Sequence, residues 1–600
     1  PTAWAALLNK NTSEQRMAAL QTLIDDQFKR TTAKYIFLPL GFDFLDPSPG
    51  ILDLVDRWNA AHPDTALVFA DPETAFHYLS TQDLPARTVD LNPIWQAFYG
   101  TRPAAKIADK ESEFYLTAAD KFGPLLDNAS PAAWQTASIN AHYDNLSAVG
   151  YDSVWASSQG PRYIQAVQDS AGELANRLAA IASRVELPAS LLIFNALSWP
   201  RGGVLEIQGN LPDAVDLHLP KQVSGPGSLA VLVPPVPAIG YAPVTSAPAT
   251  VELPVQAIQE AGSITLSNGL VSVTLDASHG GAFSSLAVSG DTSGNLLAGY
   301  GDDLVYQQDT GDVYGATFGA ELARQSRMVA HIELLAEGPL LARARASFTL
   351  DGQPVIKTIT LRAGSPLVEV DLQMHALPQS SALLEIPTSL QAQTRTDDLG
   401  FGAFKHTLDA RPIQSGDRTY RREIFYPIMY WSDVSSGGRG LSLITHGLQG
   451  LGGINDLTLL LARSVSDNGR EGVNDTQNYT LHYAYYPHLG DAGQAQPWQQ
   501  AYAFNQPLIP VWRSPDGFKV QLPFQSAPLV RLPGSTSPAL PASLSLASAE
   551  NGLILDLTLR DGQWHALVVD YSGRPATLRT PAGALTLPDS WLSDAPVNLK

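Results

Sequence analysis

The period of the apolar residues changes twice along this chain of 600 residues, so no single layer architecture can hold all of it. In residues 1–92 helical and extended stretches alternate. Thr12 or Ser13 caps a helix on which Met17, Leu20, Ile24 and Phe28 share a face. Tyr35-Ile36-Phe37-Leu38-Pro39-Leu40 reads as a buried strand, and Ser48-Pro49 as the start of a helix with Ile51, Leu54, Val55 and Trp58 inward. Ala66-Leu67-Val68-Phe69-Ala70 reads as a second strand, and Asp71-Pro72 opens a helix carrying Phe76 and Leu79. Such alternation with short links predicts an α/β layer with parallel strands. Two strands close no sheet or barrel alone, so this zone reads as the last part of something larger.

Residues 93–188 carry helical spacing only. Helices are expected from about Ala104 to Leu126, from Ser130-Pro131 onward, and after Gly160-Pro161. On the last, Ile164, Val167, Ala171, Leu174, Leu178 and Ile181 alternate by three and four. Short connections make these an antiparallel three-helix bundle. Beyond about residue 190 the pattern is β: Ser263–Ser267 and Leu270–Leu275 flank Asn268-Gly269, a strong hairpin signal, and Leu553, Leu555, Leu557 and Leu559 alternate after Asn551-Gly552. Gly and Pro, 47 and 44 in number, punctuate these short strands and predict sandwiches. Proline-rich stretches divide them into a small β domain (189–258), a large β-sandwich (259–490) and a C-terminal β-sandwich (491–600). The fold class is therefore multidomain: α/β, then α, then β.

The chain has no Cys, which removes disulfides, thiolate metal sites and a Cys nucleophile and leaves any metal to His and carboxylates. A net charge of −20 argues against nucleic acid, whose phosphates need a basic surface. No run of 18 apolar residues exists to span a membrane, and Pro1 opens no signal-peptide pattern. The compartment stays open, and a homo-oligomer is compatible with all of this.

Two places could carry chemistry. Asp43 follows the first expected strand, where α/β folds place catalytic groups, and Phe42 and Phe44 would raise its pKa as a general acid requires. A loop Asp capping the next helix has the same look. His142-Tyr143-Asp144 puts two ionisable groups beside a Tyr in the middle of the second bundle helix, where a structural His–Asp hydrogen bond is the plain alternative. Phosphate-loop, nucleophile-elbow and His-Glu-x-x-His motifs are all absent.

Taken in order, several segments resemble glycoside hydrolase family 38, the α-mannosidases. Leu38-Pro39-Leu40-Gly41-Phe42-Asp43-Phe44 is similar to the family's PLGxDF segment. Phe98-Tyr99-Gly100-Thr101-Arg102-Pro103-Ala104-Ala105-Lys106 is similar to GxYTSRPxxK, and Asn140-Ala141-His142-Tyr143-Asp144-Asn145-Leu146-Ser147 to NxHHDNITGT. Ile193–Ser198, Phe425-Tyr426-Pro427, Asp467-Asn468-Gly469-Arg470 and Tyr483–His488 resemble the β domains that follow.

The resemblance implies that residues 1–92 are the C-terminal part of an α/β barrel and that the large domain is of the galactose mutarotase-like supersandwich type. It implies a retaining glycosidase acting on terminal α-mannosyl residues of oligosaccharides, with one zinc. It implies Asp43 as acid/base, Asp144 as a partner for sugar hydroxyls, Arg470 as the residue closing the substrate pocket and Tyr99 at its rim. Two departures stand beside it. The family's metal-binding His falls at Tyr143 here, leaving His142 as a substitute ligand, and the family's His-x-Asp pair and nucleophilic Asp have no counterpart in this sequence. The chain alone is therefore expected to be an inactive portion of the enzyme. The alternative is a non-catalytic carbohydrate-binding or scaffold protein of the same descent, with a lyase or phosphorylase a weaker third reading.

Overall fold

The computed structural model describes residues 10–38, 50–86, 96–126, 131–185, 191–209, 219–244, 250–407, 413–415, 418–420, 425–467, 470–524, 528–531 and 538–599. The chain divides into two compact units, Pro1–Leu91 and Asn92–Lys600, taken separately here.

In the first unit, helix α1 (Ser13–Phe28) starts where the Thr12 hydroxyl accepts the Gln15 N–H, and α3 (Pro72–Ser80) starts where Asp71 accepts that of Thr74. Between them in sequence lies α2 (Gly50–Ala61). Leu20 and Ile24 of α1 pack on Leu54 and Trp58 of α2, as their spacing requires. Of the expected strands, the described residues 35–38 and 66–70 join no ladder. The Asn59 amide takes both backbone groups of Leu67, at 2.8 and 3.0 Å, which is the pairing a neighbouring strand would have supplied. Val68 and Phe69 are exposed. No closed barrel is present among the described residues.

The second unit is mostly β-sheet with several helices. Helices α4 (Pro103–Phe122), α5 (Pro131–Asn140) and α6 (Gly160–Arg184) follow in sequence. Tyr115, Ala119 and Phe122 of α4 meet Leu174, Leu178 and Ile181 of α6 in one buried cluster. The same cluster takes in Leu192, Phe194, Tyr241, Ile509 and Val511, so these helices rest on a six-stranded sheet. In that sheet Leu191–Asn195 lies between Gly240–Pro243 and Ile509–Ser514, both antiparallel to it. The proline-rich stretch after Pro234 therefore holds strands rather than a linker, and the segments before 258 and after 491 share one sheet.

The largest core lies between a seven-stranded and a nine-stranded sheet. Leu304, Leu384 and Leu459 come from the first; Ala344, Ile359, Val370, Leu481 and Tyr483 come from the second. A four-stranded meander from Gln256–Glu260 to Ala282–Val288 closes one end of this core. Its second hairpin departs from the expected tight turn, since Ser267 pairs with Ser272 and leaves four residues in the loop. Asn268 is buried there, accepting from the Leu270 and Val271 N–H groups and donating to the Arg362 and Ser365 carbonyls, while Gly269 supplies the positive φ of 78°. Among the described residues no helix is long and apolar enough to cross a membrane.

One buried carboxyl joins three parts of this unit. Asp398 accepts from Tyr571 Oη at 2.9 Å, Gly400 N at 2.9 Å and Tyr430 N at 3.2 Å. Burial pushes its pKa up to about 7 despite these donors. Its unfolded value is about 3.9, so below that pH both states are protonated and the stability it contributes is fully present. That contribution is lost as pH rises from about 4 through about 7, at ~1.4 kcal/mol for each unit by which the two pKa values differ. The melting temperature should fall over this window in the native chain and fall less in Asp398→Asn; parallel profiles would refute the assignment.

Candidate active-site face

The segment Thr101-Arg102-Pro103 sets up the site. Arg102 has a φ of 39°, a left-handed conformation that costs of order 1–3 kcal/mol in a non-glycine residue, and Pro103 after it starts α4. This conformation sends a buried guanidinium into the turn that follows α5. Arg102 donates to the carbonyls of Ala148 (2.8 Å) and Gly150 (2.5 Å) and to the Asp152 carboxylate (2.6 Å), and it lies 5.0 Å from the Trp155 ring. One turn on, Lys106 donates to the Ser147 carbonyl at 3.0 Å and to both oxygens of Thr101. Burial lowers its pKa to about 7, with the carboxylate of Asp475 acting the other way. The two basic residues of the 98–106 motif are therefore clamps: they hold the turn that carries the 140–147 motif.

The clamped turn is fixed to the β region as well. The Asp152 carboxylate accepts from Asn474 N at 3.1 Å and Asn474 Nδ2 at 2.8 Å, just past the strand Arg470–Val473. Val149 packs against Val313, Val465 and Val473. Buried Arg463 donates through Nε to Asp309 at 2.6 Å and through Nη2 to the carbonyls of Asp312 and Gly315, shaping the 309–317 loop. From that loop the half-exposed Tyr314 ring reaches Phe98, with centroids 5.7 Å apart.

The candidate residues fall on this frame as follows. Asp144 and His142 are exposed in the clamped turn. They are not in mid-helix, as expected: α5 ends at Asn140, and His142 caps the short turn Tyr143–Leu146 by accepting the Asp144 N–H at Nδ1, 3.3 Å away. The physical reason is Asn140 and Asn145, whose side chains bind Arg162 and the Ile139 carbonyl and so close the helix off. The His142 ring stacks on the exposed Tyr143 at 4.6 Å. Tyr99 is half-buried against Val305, Leu383, Phe425 and Leu460. Arg470 opens its strand, opposite Asp467, and its side chain lies outside the described set, as does Asp43 altogether. The structure thus brings together the turn of Asp144, the strand of Arg470 and the Phe98–Tyr99 segment.

Sequence reasoning missed Tyr314, Arg463 and the Asp152–Asn474 link. The run Asp309-Thr310-Gly311-Asp312-Val313-Tyr314-Gly315 carried a signal, because Asp and Gly at this density form turns, and both Asp309 and Asp312 accept loop N–H groups. Its meeting with Phe98 had none. As for metal, among the described residues no group of three or more His, Asp or Glu side chains could hold an ion. His142 stands without a second donor of that kind, so the described donors do not fit a zinc site.

The fold is that of a multidomain, mostly β-sheet protein with a clamped polar face. Residues 266–470, about a third of the chain, match the family model described as the glycosyl hydrolases family 38 C-terminal domain. Two solved structures share the fold. One is an alpha-mannosidase from Enterococcus faecalis V583, at 12% identity and a TM-score of 0.73, covering 95% of this chain and 74% of that one. The other is a protein in the glycosyl hydrolase family 38 from Enterococcus faecalis, at 12% identity and a TM-score of 0.68, covering 96% and 76%. No curated protein matches the sequence.

Proposed function

We propose that this chain is part of an α-mannosidase-like retaining glycosidase that removes terminal α-mannosyl residues from oligosaccharides. The observation that carries the reading is the Asp152–Asn474 link, which fixes the turn of Asp144 beside the strand of Arg470 across 322 positions of sequence. An alpha-mannosidase of the same fold adds support. Asp43 is the acid/base, giving a proton to the leaving oxygen and then taking one from water; retention needs a second carboxylate about 5–5.5 Å away as nucleophile. Asp144 accepts hydrogen bonds from sugar hydroxyls, Arg470 closes the pocket and Tyr99 supports its rim. In this reading residues 1–92 are barrel tail and 93–188 the family's helical middle domain. The large sandwich spans 259–490, flanked by the β segments 189–258 and 491–600. Zinc belongs to the family's chemistry, and no step is routed through it because the described donors do not assemble around one.

That same shortage of donors favours a second reading, a non-catalytic carbohydrate-binding protein. Calorimetry with α-mannobiose and proton NMR of 4-nitrophenyl α-mannoside separate the two. Both readings expect binding that Asp144→Ala and Arg470→Ala each weaken by roughly tenfold or more, the effect of a hydrogen bond to a charged group. Hydrolysis with retained anomeric configuration by the chain joined to a segment that supplies the nucleophilic carboxylate, abolished in Asp43→Ala, supports the glycosidase; binding without hydrolysis by that joined protein supports the second. No binding by the native chain overturns both.

A further inference from the structure

A second polar cleft lies on the outer face of the nine-stranded sheet. It encloses about 1110 Å³ and shares no lining residue with the Asp144 and Arg470 face. That exceeds the ~300–1,000 Å³ usual for a single drug-sized ligand, so several sugar-sized units fit. Its floor alternates charge across neighbouring strands: Arg343 and Arg362 from the sheet both reach Glu206 of the facing three-stranded sheet, at 2.6 and 3.0 Å, and Arg362 also holds Glu369 at 2.9 Å. Burial pushes the Glu206 carboxyl up, but Arg362 and Arg343 hold it down to about 2, so it stays ionised and paired. These cations are already matched. An anionic ligand would gain little there and would have to break the pairs.

What remains unmatched is neutral and directional. His482 gives Nδ1 to Asp371 at 2.5 Å and leaves Nε2 without a partner among the described residues. The Gln499 and Gln500 amides on helix α7 (Pro497–Asn505) line the opposite wall, also without side-chain partners among the described residues. Two further cations line the cleft and are engaged: Arg345 pairs with Glu333 at 3.3 Å, only its Nε buried and unsatisfied, and Arg201 spends its donors on Asn195 Oδ1 and the Ala503 and Gln506 carbonyls. Trp199, Phe504 and Phe524 line the same cleft. Donors and acceptors at intervals, aromatic surface and cations already engaged by carboxylates or carbonyls match a polyhydroxylated, uncharged chain, whose hydroxyls both donate and accept and whose C–H faces lie on rings.

We propose that this cleft binds a neutral oligosaccharide of several units at a site separate from the proposed catalytic face. The test uses the full chain carrying Asp144→Ala and Arg470→Ala, so that failure of the proposed function does not bear on it. Mannotetraose, cellotetraose and maltotetraose are titrated by calorimetry and saturation-transfer NMR, with inorganic phosphate and a heparin hexasaccharide as anionic probes. At least one neutral tetrasaccharide should bind, and adding Gln499→Ala/Gln500→Ala or His482→Ala should weaken it at least tenfold with the melting temperature unchanged. Gln500→Ala alone, on the rim, keeps the test open if His482→Ala fails to fold. Absence of binding at millimolar concentration, binding indifferent to these substitutions, or preference for the anionic probes would each overturn the proposal.

Discussion

Lys357→Met should cost the second unit ~3–5 kcal/mol and lower its urea midpoint accordingly. Lys357 and Asp302 are fully buried in the large core, with Nζ 2.8 Å from Oδ2 and a second bond to the Asp302 carbonyl. The other carboxylate oxygen accepts from Tyr483 Oη at 2.7 Å and Tyr485 Oη at 2.8 Å. Removing the ammonium leaves the carboxylate with two neutral donors and no countercharge in a medium that solvates it poorly. The double variant Asp302→Asn/Lys357→Met should recover much of the loss, because an amide oxygen still accepts from both tyrosines. Asn also tolerates the left-handed backbone at 302, where φ is 57°. Denaturation followed by tryptophan fluorescence gives all corners of the cycle. A single-variant loss under ~1 kcal/mol would show that the pair does not anchor the core.

Arg102→Ala should act locally and steeply. Three charge-assisted bonds from one guanidinium hold residues 148, 150 and 152, and each such bond is worth ~1.5–3 kcal/mol. Amide exchange across 147–153 should therefore accelerate by roughly a hundredfold or more, while amides of the nine-stranded sheet keep their protection. Arg102→Lys keeps the charge without the planar fork and should fall between. Weaker α-mannobiose binding should accompany the loosened turn if Asp144 serves the sugar. Exchange unchanged in the alanine variant would mean that Lys106 and Asp152 hold the turn without it.

What could be read before folding was whatever short-range geometry decides. The caps at Thr12 and Asp71, the starts of α4 and α5 near Ala104 and at Pro131, and the β character beyond residue 190 all rest on contacts a few residues long. Gly160-Pro161, by contrast, interrupts nothing, since the helical turn Trp155–Gln159 runs straight into α6. Two failures have local causes the pattern hides. Asn59 satisfied Leu67 in place of a strand, and a bulge between Ile554 and Asp556 shifts the alternation so that Ile554 is buried and Leu559 faces out. The candidate site was legible as motifs but not as a machine. Nothing in the spacing of Arg102 and Lys106 shows that they grip carbonyls more than 40 residues away, nor that Asp152 meets Asn474. Such partners are set by the arrangement of sheets, which one sequence does not encode in any short window.

The strand Leu191–Asn195 has one neighbour, Gly240–Pro243, close behind it in the chain and the other, Ile509–Ser514, more than 300 residues later. During synthesis its second edge must therefore wait while the whole large sandwich is made, with Leu192, Phe194 and the α4 and α6 faces that pack on them only partly covered. Assembly of this layer is a late, long-loop event, slow to form and most open to misassociation before Ile509–Ser514 emerges from the ribosome.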